Sequence, residues 1–220
     1  AFGPASLETI SSMLLQAQIH SELDQLEEAN QIYQTALETT VSAFGESDAA
    51  TLSVLDSYGQ FLNSIDPEMA EPILTEALRL SEDEDPQRAA RMKALGQNFQ
   101  EMGRISEAEE MLNEALKVFQ TLVGEKDAET LSAMAVLAQL QMSQGKLKPA
   151  QELFETALPL MREVLDEKSF LKLESKENLG EIYRQQGSFS KAETLFKETI
   201  KDATAEYGDE EPLVIQAKSH

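Results

Sequence analysis

The sequence contains no cysteine, no long apolar run, and no lysine or arginine before Arg79. Without cysteine the chain cannot form disulfides, thiolate metal sites or a cysteine nucleophile, and this composition fits any compartment. No apolar stretch is long enough to span a bilayer, so we expect no direct membrane insertion. The chain opens at Ala1 and not at a methionine, which is compatible with a targeting segment that has been removed. We therefore expect a soluble protein of the cytoplasm, an organelle or the periplasm.

Acidic residues dominate the charge of the chain. It has 40 Asp and Glu against 18 Lys and Arg, a formal net charge of −22, and its first 78 residues carry 13 carboxylates without one Lys or Arg. A surface this acidic repels nucleic acid and anionic membranes, so neither is an expected partner. The acidic region is either a well-solvated surface or a landing site for a basic partner.

What the chain does contain is a repeated phrase. "GRISEAEEMLNEAL" begins at Gly103 and returns as "GKLKPAQELFETAL" and "GSFSKAETLFKETI", each copy 42 residues after the one before. Two earlier copies, "DQLEEANQIYQTAL" and "IDPEMAEPILTEAL", begin at Asp24 and Ile65. The apolar residues of each copy recur every three or four positions, which is typical of an amphipathic helix. A second apolar-periodic stretch precedes each copy, so two helices make one unit.

Turn signals separate these helices. Gly103, Gly145 and Gly187 each stand where a helix ends in a left-handed residue, and in the second unit Asp66 and Pro67 supply an N-cap and a first-turn proline. The phrases "FGESDAATL" and "VGEKDAETL" occur between units, where their polar residues are expected to cap the next helix. No segment alternates as a strand does, and no long linker divides the chain.

The pattern resembles the tetratricopeptide repeat, whose signature places small and aromatic residues at set positions of a helix pair. The third copy fits with Leu95, Gly96, Phe99 and Ala108, and in the fifth copy Thr199 departs from the final alanine. The period near 42, with a Gly-Glu or Gly-Asp phrase between units, is most similar to the long repeats of kinesin light chains. The residues that this resemblance assigns to packing between helices are Ala29, Tyr33, Ala70, Leu74, Gly96, Ala108, Leu112, Ala150, Phe154, Gly180, Ala192 and Phe196.

The resemblance implies an all-α fold, a right-handed α-solenoid of about five helix hairpins followed by a C-terminal helix. We predict one domain over residues 1–220. The repeats are expected at residues 8–44, 49–80, 87–122, 129–164 and 171–207, with a capping or partial helix at 210–220.

The sequence offers little for catalysis. His20 lies where the family usually has an aromatic residue, so we interpret it as a packed imidazole, and His220 is the final residue. Neither has a second histidine nearby, which leaves no base for a Ser or Thr nucleophile and no recognisable metal cluster. Adjacent carboxylates such as Glu109 and Glu110 fit a solvated helix face better than an acid pair or a calcium site. We predict a protein that is not an enzyme and has no cofactor.

In the family, side chains of the first helices hold peptides in a concave groove. Asn178 matches the family's peptide-gripping asparagine, whereas the paired Lys and Arg that clamp a terminal carboxylate are not assembled. The resemblance therefore implies a scaffold or adaptor for a protein or peptide partner, with a basic or apolar segment in the groove. The residues that repeat phase places there are Gln18, Glu22, Leu55, Asp56, Lys93, Gln97, Gln139, Asn178, Glu181 and Arg184.

A second hypothesis remains open. The chain is then a structural subunit or assembly factor of a larger complex, or a fragment of a longer repeat protein, that contacts partners through helix edges and its acidic surface. Apolar residues near the end, including Leu213 and Ile215, are also compatible with a homodimer.

Overall fold

The computed structural model describes residues 6–166 and 169–207, with side chains through residue 204. These residues form ten α-helices and no strand, so the predicted all-α helical repeat fold is confirmed. The predicted helix at 210–220 lies outside the described residues. The helices are α1 Leu7–Glu22, α2 Leu26–Phe44, α3 Ala49–Ile65, α4 Pro67–Arg79, α5 Pro86–Glu101, α6 Ile105–Leu122, α7 Ala128–Ser143, α8 Leu147–Val164, α9 Phe170–Gln185 and α10 Phe189–Tyr207.

The chain divides into two compact units, residues 1–111 and 112–220, with the division inside α6. In the first unit α1 packs on α2 and α3, α3 packs on α4, and α5 packs on both α3 and α4. In the second unit α7 pairs with α8, α9 pairs with α10, and α9 also packs on α7 and α8. Within each unit, the first helix of a later hairpin therefore packs on both helices of the hairpin before it; the first helices are α1, α3, α5, α7 and α9. The expectation of one domain over the whole chain stays a prediction.

Single residues determine the backbone conformation of the turns between paired helices. Gly103, Gly145 and Gly187 have φ values of 72°, 72° and 75°, the left-handed conformation that the sequence predicted. In the first hairpin Asp24 takes this place with a φ of 59°. Asp66 caps α4 by accepting a 3.0 Å hydrogen bond from the backbone N–H of Glu68, as predicted.

Small residues allow the helices of a hairpin to approach closely. A Cβ atom added to Gly180 would lie 2.7 Å from Cε1 of Phe196, and one added to Gly59 would lie 2.5 Å from Cδ2 of Leu74. Both distances are shorter than any real carbon–carbon contact, so the second helix fills the space that each glycine leaves. All twelve residues that the resemblance assigned to packing are buried.

Gly59 also reveals a shift of register in the second hairpin. Eleven residues separate Gly59 from Ala70, whereas twelve separate Gly180 from Ala192. The prediction assumed the twelve-residue spacing in the second hairpin as well. It therefore placed Leu55 in the groove. The structure corrects this position, because Leu55 is 3 % exposed and packs with Leu52 and Ala77 in the core. The shorter connection between α3 and α4 moves every α3 position by one residue.

Candidate peptide-binding surface

Three of the predicted groove residues in the first unit, Gln18, Glu22 and Gln97, are exposed polar side chains. Gln18 on α1 donates a hydrogen bond from Nε2 to Oε1 of Glu22, 3.1 Å away. Gln97 on α5 is exposed, and Lys93 on the same helix is half-buried. The amide of Gln97 is therefore accessible to a partner.

Asp56 has a structural contact within the first unit. Its carboxylate oxygens accept two hydrogen bonds of 2.8 Å from Nε and Nη2 of Arg91, a bidentate pair between α3 and α5. Arg91 also donates from Nη1 to Oγ of Ser81 at 2.9 Å, and its side chain is 7 % exposed against 27 % for Asp56. Asp56 thus neutralises a buried cation and has little capacity left for a ligand.

A second polar contact joins the same two helices. Nδ2 of Asn98 donates to Oδ1 of Asn63 and to the carbonyl oxygen of Pro67, both at 2.7 Å. Asn98 is fully buried, so these bonds replace the water that its Nδ2 group loses on folding, whereas its Oδ1 has no hydrogen-bond partner among the described residues. The α3–α5 contact is therefore held by polar groups at two places.

The predicted residues of the second unit lie on α7 and α9. Gln139 and Asn178 are half-buried. Glu181 accepts hydrogen bonds of 2.7 Å from Nε of Arg184 and from Nε2 of Gln185. The Arg184 guanidinium is exposed, whereas the Glu181 side chain is 16 % exposed, so the arginine is the accessible half of this pair.

Asn178 presents a donor that the protein does not use. Its Nδ2 atom is buried and has no hydrogen-bond partner in the described part of the chain. A buried donor without an acceptor costs about 1–3 kcal/mol, and a ligand carbonyl in reach would remove that cost. Asn178 is thus the predicted residue whose geometry most favours a ligand.

Burial changes the titration of a neighbouring carboxyl. The pKa of Glu177 is raised from 4.5 to about 7, first because burial disfavours the carboxylate and then because Glu174 and Glu181 are close. Position within the repeat did not indicate Glu177 as a functional residue, and it did not indicate Arg91 either. No local signal identifies either residue, because both depend on helices packed against them from elsewhere in the chain.

A separate cavity of about 370 Å³ lies between α8 and α10 in the second unit. The hydroxyl of Tyr183 donates to Oε1 of Glu155 at its edge, with the atoms 2.5 Å apart. Nζ of Lys191 lies 4.9 Å from the centre of the Tyr183 ring. Arg162, Ser190 and Thr194 also line the cavity, so it offers both polar and apolar surface.

His20 is half-buried, and its Nδ1 lies 2.6 Å from Oε1 of Gln25. Within residues 6–166 and 169–207, no three Asp, Glu or His side chains are grouped as metal ligands. None of the helices in those ranges is both long and apolar enough to cross a membrane.

Comparison with known families agrees with the repeat pattern. One tetratricopeptide repeat model matches residues 66–121, 86–163 and 128–205, and a second tetratricopeptide repeat model matches residues 10–40. Among curated proteins no significant match exists.

Solved structures share the fold at low sequence identity. BtubC (BKLC) from P. vanneervenii superposes with a TM-score of 0.81 at 22 % identity, covering 90 % of this chain and 81 % of that one. Nearly identical TPR-like repeats of a kinesin light chain candidate from Podosopora anserina give a TM-score of 0.73 at 17 % identity, with coverages of 91 % and 97 %. A Rap protein complexed with Competence and Sporulation Factor superposes with a TM-score of 0.71 at 16 % identity, covering 94 % of this chain and 62 % of that one. At these identities the likeness shows the fold alone.

Proposed function

Because the chain belongs to the tetratricopeptide repeat family, we propose that it is a non-enzymatic scaffold whose first-helix side chains hold a segment of a partner protein. The proposal is made for each unit by itself. Gln18, Glu22, Lys93 and Gln97 are the contact residues in the first unit. Gln139, Asn178, Glu181 and Arg184 are those in the second. Leu55 and Asp56 are left out, because packing and the Arg91 pair already occupy them.

The unused amide donor of Asn178 is the observation that carries this proposal. An extended peptide has a free carbonyl at every residue, so it supplies the missing acceptor in any sequence. Arg184 near it is exposed and pairs with the less exposed Glu181, so an acidic peptide side chain can compete for its guanidinium. The strongly acidic chain favours a segment that is basic or apolar. The Rap protein, whose structure includes Competence and Sporulation Factor, is a similar fold with a bound factor.

The test is a fluorescence-polarisation screen of basic and apolar peptides against the whole chain. Asn178→Ala should weaken the best peptide about tenfold, as expected for one hydrogen bond from a buried group. Gln120→Ala, an exposed residue on the second helix α6, is the matched control and should change nothing. If both variants bind as the unchanged chain does, the first helices of the second unit do not hold the peptide.

A structural subunit of a larger assembly is the second candidate function. The acidic first unit favours it, since its 78 leading residues present carboxylates without a Lys or Arg. A partner would then contact helix edges and second helices. Crosslinks from a purified complex that fall on α2 and α4, and not on first-helix residues, would favour this role over peptide capture.

A further inference from the structure

The cavity between α8 and α10 lies between two hairpins that are both present, so it is not an open end of the repeat array. α9 packs on α8 and pairs with α10, and its buried Leu179 and Tyr183 form the floor together with Leu158 of α8. Pro159 and Leu195 add apolar surface at the walls. A volume of about 370 Å³ is near the lower end for ligand pockets in proteins. The cavity therefore has room for a small apolar body.

The first unit shows how the chain itself covers the equivalent ring. Phe99 of α5 and Tyr183 of α9 correspond, since each follows the glycine of its helix by three residues. The guanidinium carbon of Arg104 lies 4.3 Å from the centre of the Phe99 ring, and its nitrogens pair with two glutamates of the same unit. The residue that corresponds to Arg104 in the second unit is Ser188, because both follow the turn glycine. The turn of the second unit therefore supplies no charged group that closes over Tyr183.

Lys191, at the mouth of the cavity, has an amine that forms no ion pair with a carboxylate in the described parts of the chain. Its Nζ atom lies 4.9 Å from the centre of the Tyr183 ring. Glu155 nearby is used elsewhere, since its Oε1 accepts hydrogen bonds from the hydroxyl of Tyr183 at 2.5 Å and from Nε2 of Gln151 at 2.8 Å. These bonds, that of Tyr183 first, and the charge of Lys191 lower the pKa of Glu155, so this carboxylate stays ionised at neutral pH. Lys191 therefore has the capacity to bind another anion.

Arg162 is the second cation of the lining. Its Nη2 lies 3.3 Å from Oε2 of Glu198, and the two side chains are 53 % and 46 % exposed. A pair this exposed adds little to stability, so a ligand carboxylate can compete for the guanidinium. The lining residues thus carry two cations against one carboxylate, in a chain whose net charge is −22. That local excess favours a ligand with one negative charge.

We propose that this cavity binds a small amphipathic monocarboxylate. Its apolar body lies against Leu158, Leu179 and Tyr183. Its carboxylate pairs with Lys191 and Arg162. A cationic ligand would instead meet two positive side chains, and a neutral ligand would leave Lys191 without an ion pair. The site does not depend on the proposed peptide binding, because none of the proposed peptide-contact residues lines it.

The first arm of the test titrates the whole chain with three probes of similar size, phenylpropionate, phenylpropanamide and phenylpropylamine. Proton–nitrogen NMR spectra report both the affinity and the place of binding. Phenylpropionate should bind saturably and shift the backbone amides of Lys191 and Thr194, but not that of Gln139 on α7. The neutral amide should bind about tenfold more weakly, because it lacks the charge that the two cations attract. The amine should not bind.

The second arm tests the charge with Lys191→Gln. This change should weaken phenylpropionate about fivefold, as expected for one exposed ion pair, and should leave the neutral amide unchanged. Lys197→Gln is the matched control, because Lys197 is an exposed lysine of the same helix that pairs with Glu193 outside the cavity. It should bind phenylpropionate as the unchanged chain does. Asn178→Ala should also bind it normally, which separates this site from the proposed peptide site.

The third arm tests the apolar part with Thr194→Trp. Thr194 is an exposed residue of the lining, so an indole at this position fills the cavity without removing a core side chain. Both phenylpropionate and the neutral amide should then lose binding. Circular dichroism of each variant establishes that the helices remain.

Three results would overturn the proposal. The first is the absence of saturable phenylpropionate binding by the unchanged chain. The second is equal binding of phenylpropionate and the amine. The third is unchanged phenylpropionate binding by the folded Lys191→Gln and Thr194→Trp variants.

Discussion

Arg91 in the first unit and Ser175 in the second occupy the same position of their repeats, five residues before Gly96 and Gly180. Both are buried where one first helix packs on the previous one. Arg91 pairs with Asp56, while the hydroxyl of Ser175 is buried without a hydrogen-bond partner in the described residues. A similar difference occurs seven residues further along each helix. The buried residue of α5 there is the polar Asn98, whereas the corresponding buried residue of α9 is the apolar Ile182.

This difference shows that the repeat prescribes a close contact and not its chemistry. The buried Arg91 is tolerated in the first unit because the Asp56 carboxylate pairs with it. Removing one half leaves an uncompensated buried group, whereas removing a methyl or a lone hydroxyl leaves only a small space. The two units should therefore respond differently to equivalent substitutions.

The largest effect is expected from Asp56→Ala, which leaves the buried Arg91 guanidinium with only the more distant Asp85 carboxylate, whose Oδ2 lies 3.8 Å from Nη1. We expect a loss of about 3 kcal/mol in the free energy of unfolding, near the low end for a broken buried pair because Asp56 keeps partial exposure. Urea unfolding followed by circular dichroism measures it. Ser175→Ala should be neutral or slightly stabilising, since it removes a hydroxyl without a bond.

The control for that experiment is Glu76→Ala, which breaks the exposed pair with Arg79. Its effect should be much smaller. Equal losses in Asp56→Ala and Glu76→Ala would mean that burial of Arg91 does not set the cost.

A smaller effect is expected from Gly180→Ala. The new methyl would overlap the rigid ring of Phe196, and we expect about 1–2 kcal/mol of destabilisation even after the gain in helix propensity. Thermal melting is the measurement.

The equivalent change in the first unit, Gly59→Ala, meets the flexible end of Leu74. That side chain can rotate away, so melting should barely change although the starting distance is shorter. A larger loss at Gly59 than at Gly180 would contradict this explanation.

A further effect is expected from pH, because a buried carboxyl can avoid its desolvation by binding a proton. The pKa of Glu177 is raised from 4.5 to about 7, so the folded second unit binds more protons than the unfolded chain between these values. Its contribution to stability is present below about 4.5 and is lost as the pH rises through about 7. Urea midpoints between pH 4.5 and 7.5 should therefore fall less steeply in Glu177→Gln than in the unchanged chain. Identical slopes would exclude this role for Glu177.

Local features of the fold were predictable from short segments. Gly103, Gly145 and Gly187 were recognised as helix ends, and Asp66 with Pro67 as a helix start, because each acts through its own backbone and its nearest neighbours. The hairpin order and the all-α class followed from periodicity alone.

Features that depend on contacts between distant segments were harder to predict from the sequence. Leu55 was placed one residue out of register because the α3–α4 connection is one residue shorter than its counterparts, and only packing against Ala77 reveals the shift. The pairing of Asp56 with Arg91, 35 residues apart, has no signature in either segment. The groove residues stay predictions, since repeat phase assigns a helix face and not a ligand.

The sequence by itself determined the array of helix hairpins, the turns that join them and the acidic charge, because helix periodicity, turn residues and net charge are local or additive properties. The tertiary structure decided which polar residues are consumed in packing, which carboxyl holds its proton near neutral pH, and that Leu55 lies in the core. Those outcomes depend on what each helix touches, and contact between segments far apart in the chain is settled only when the hairpins stack.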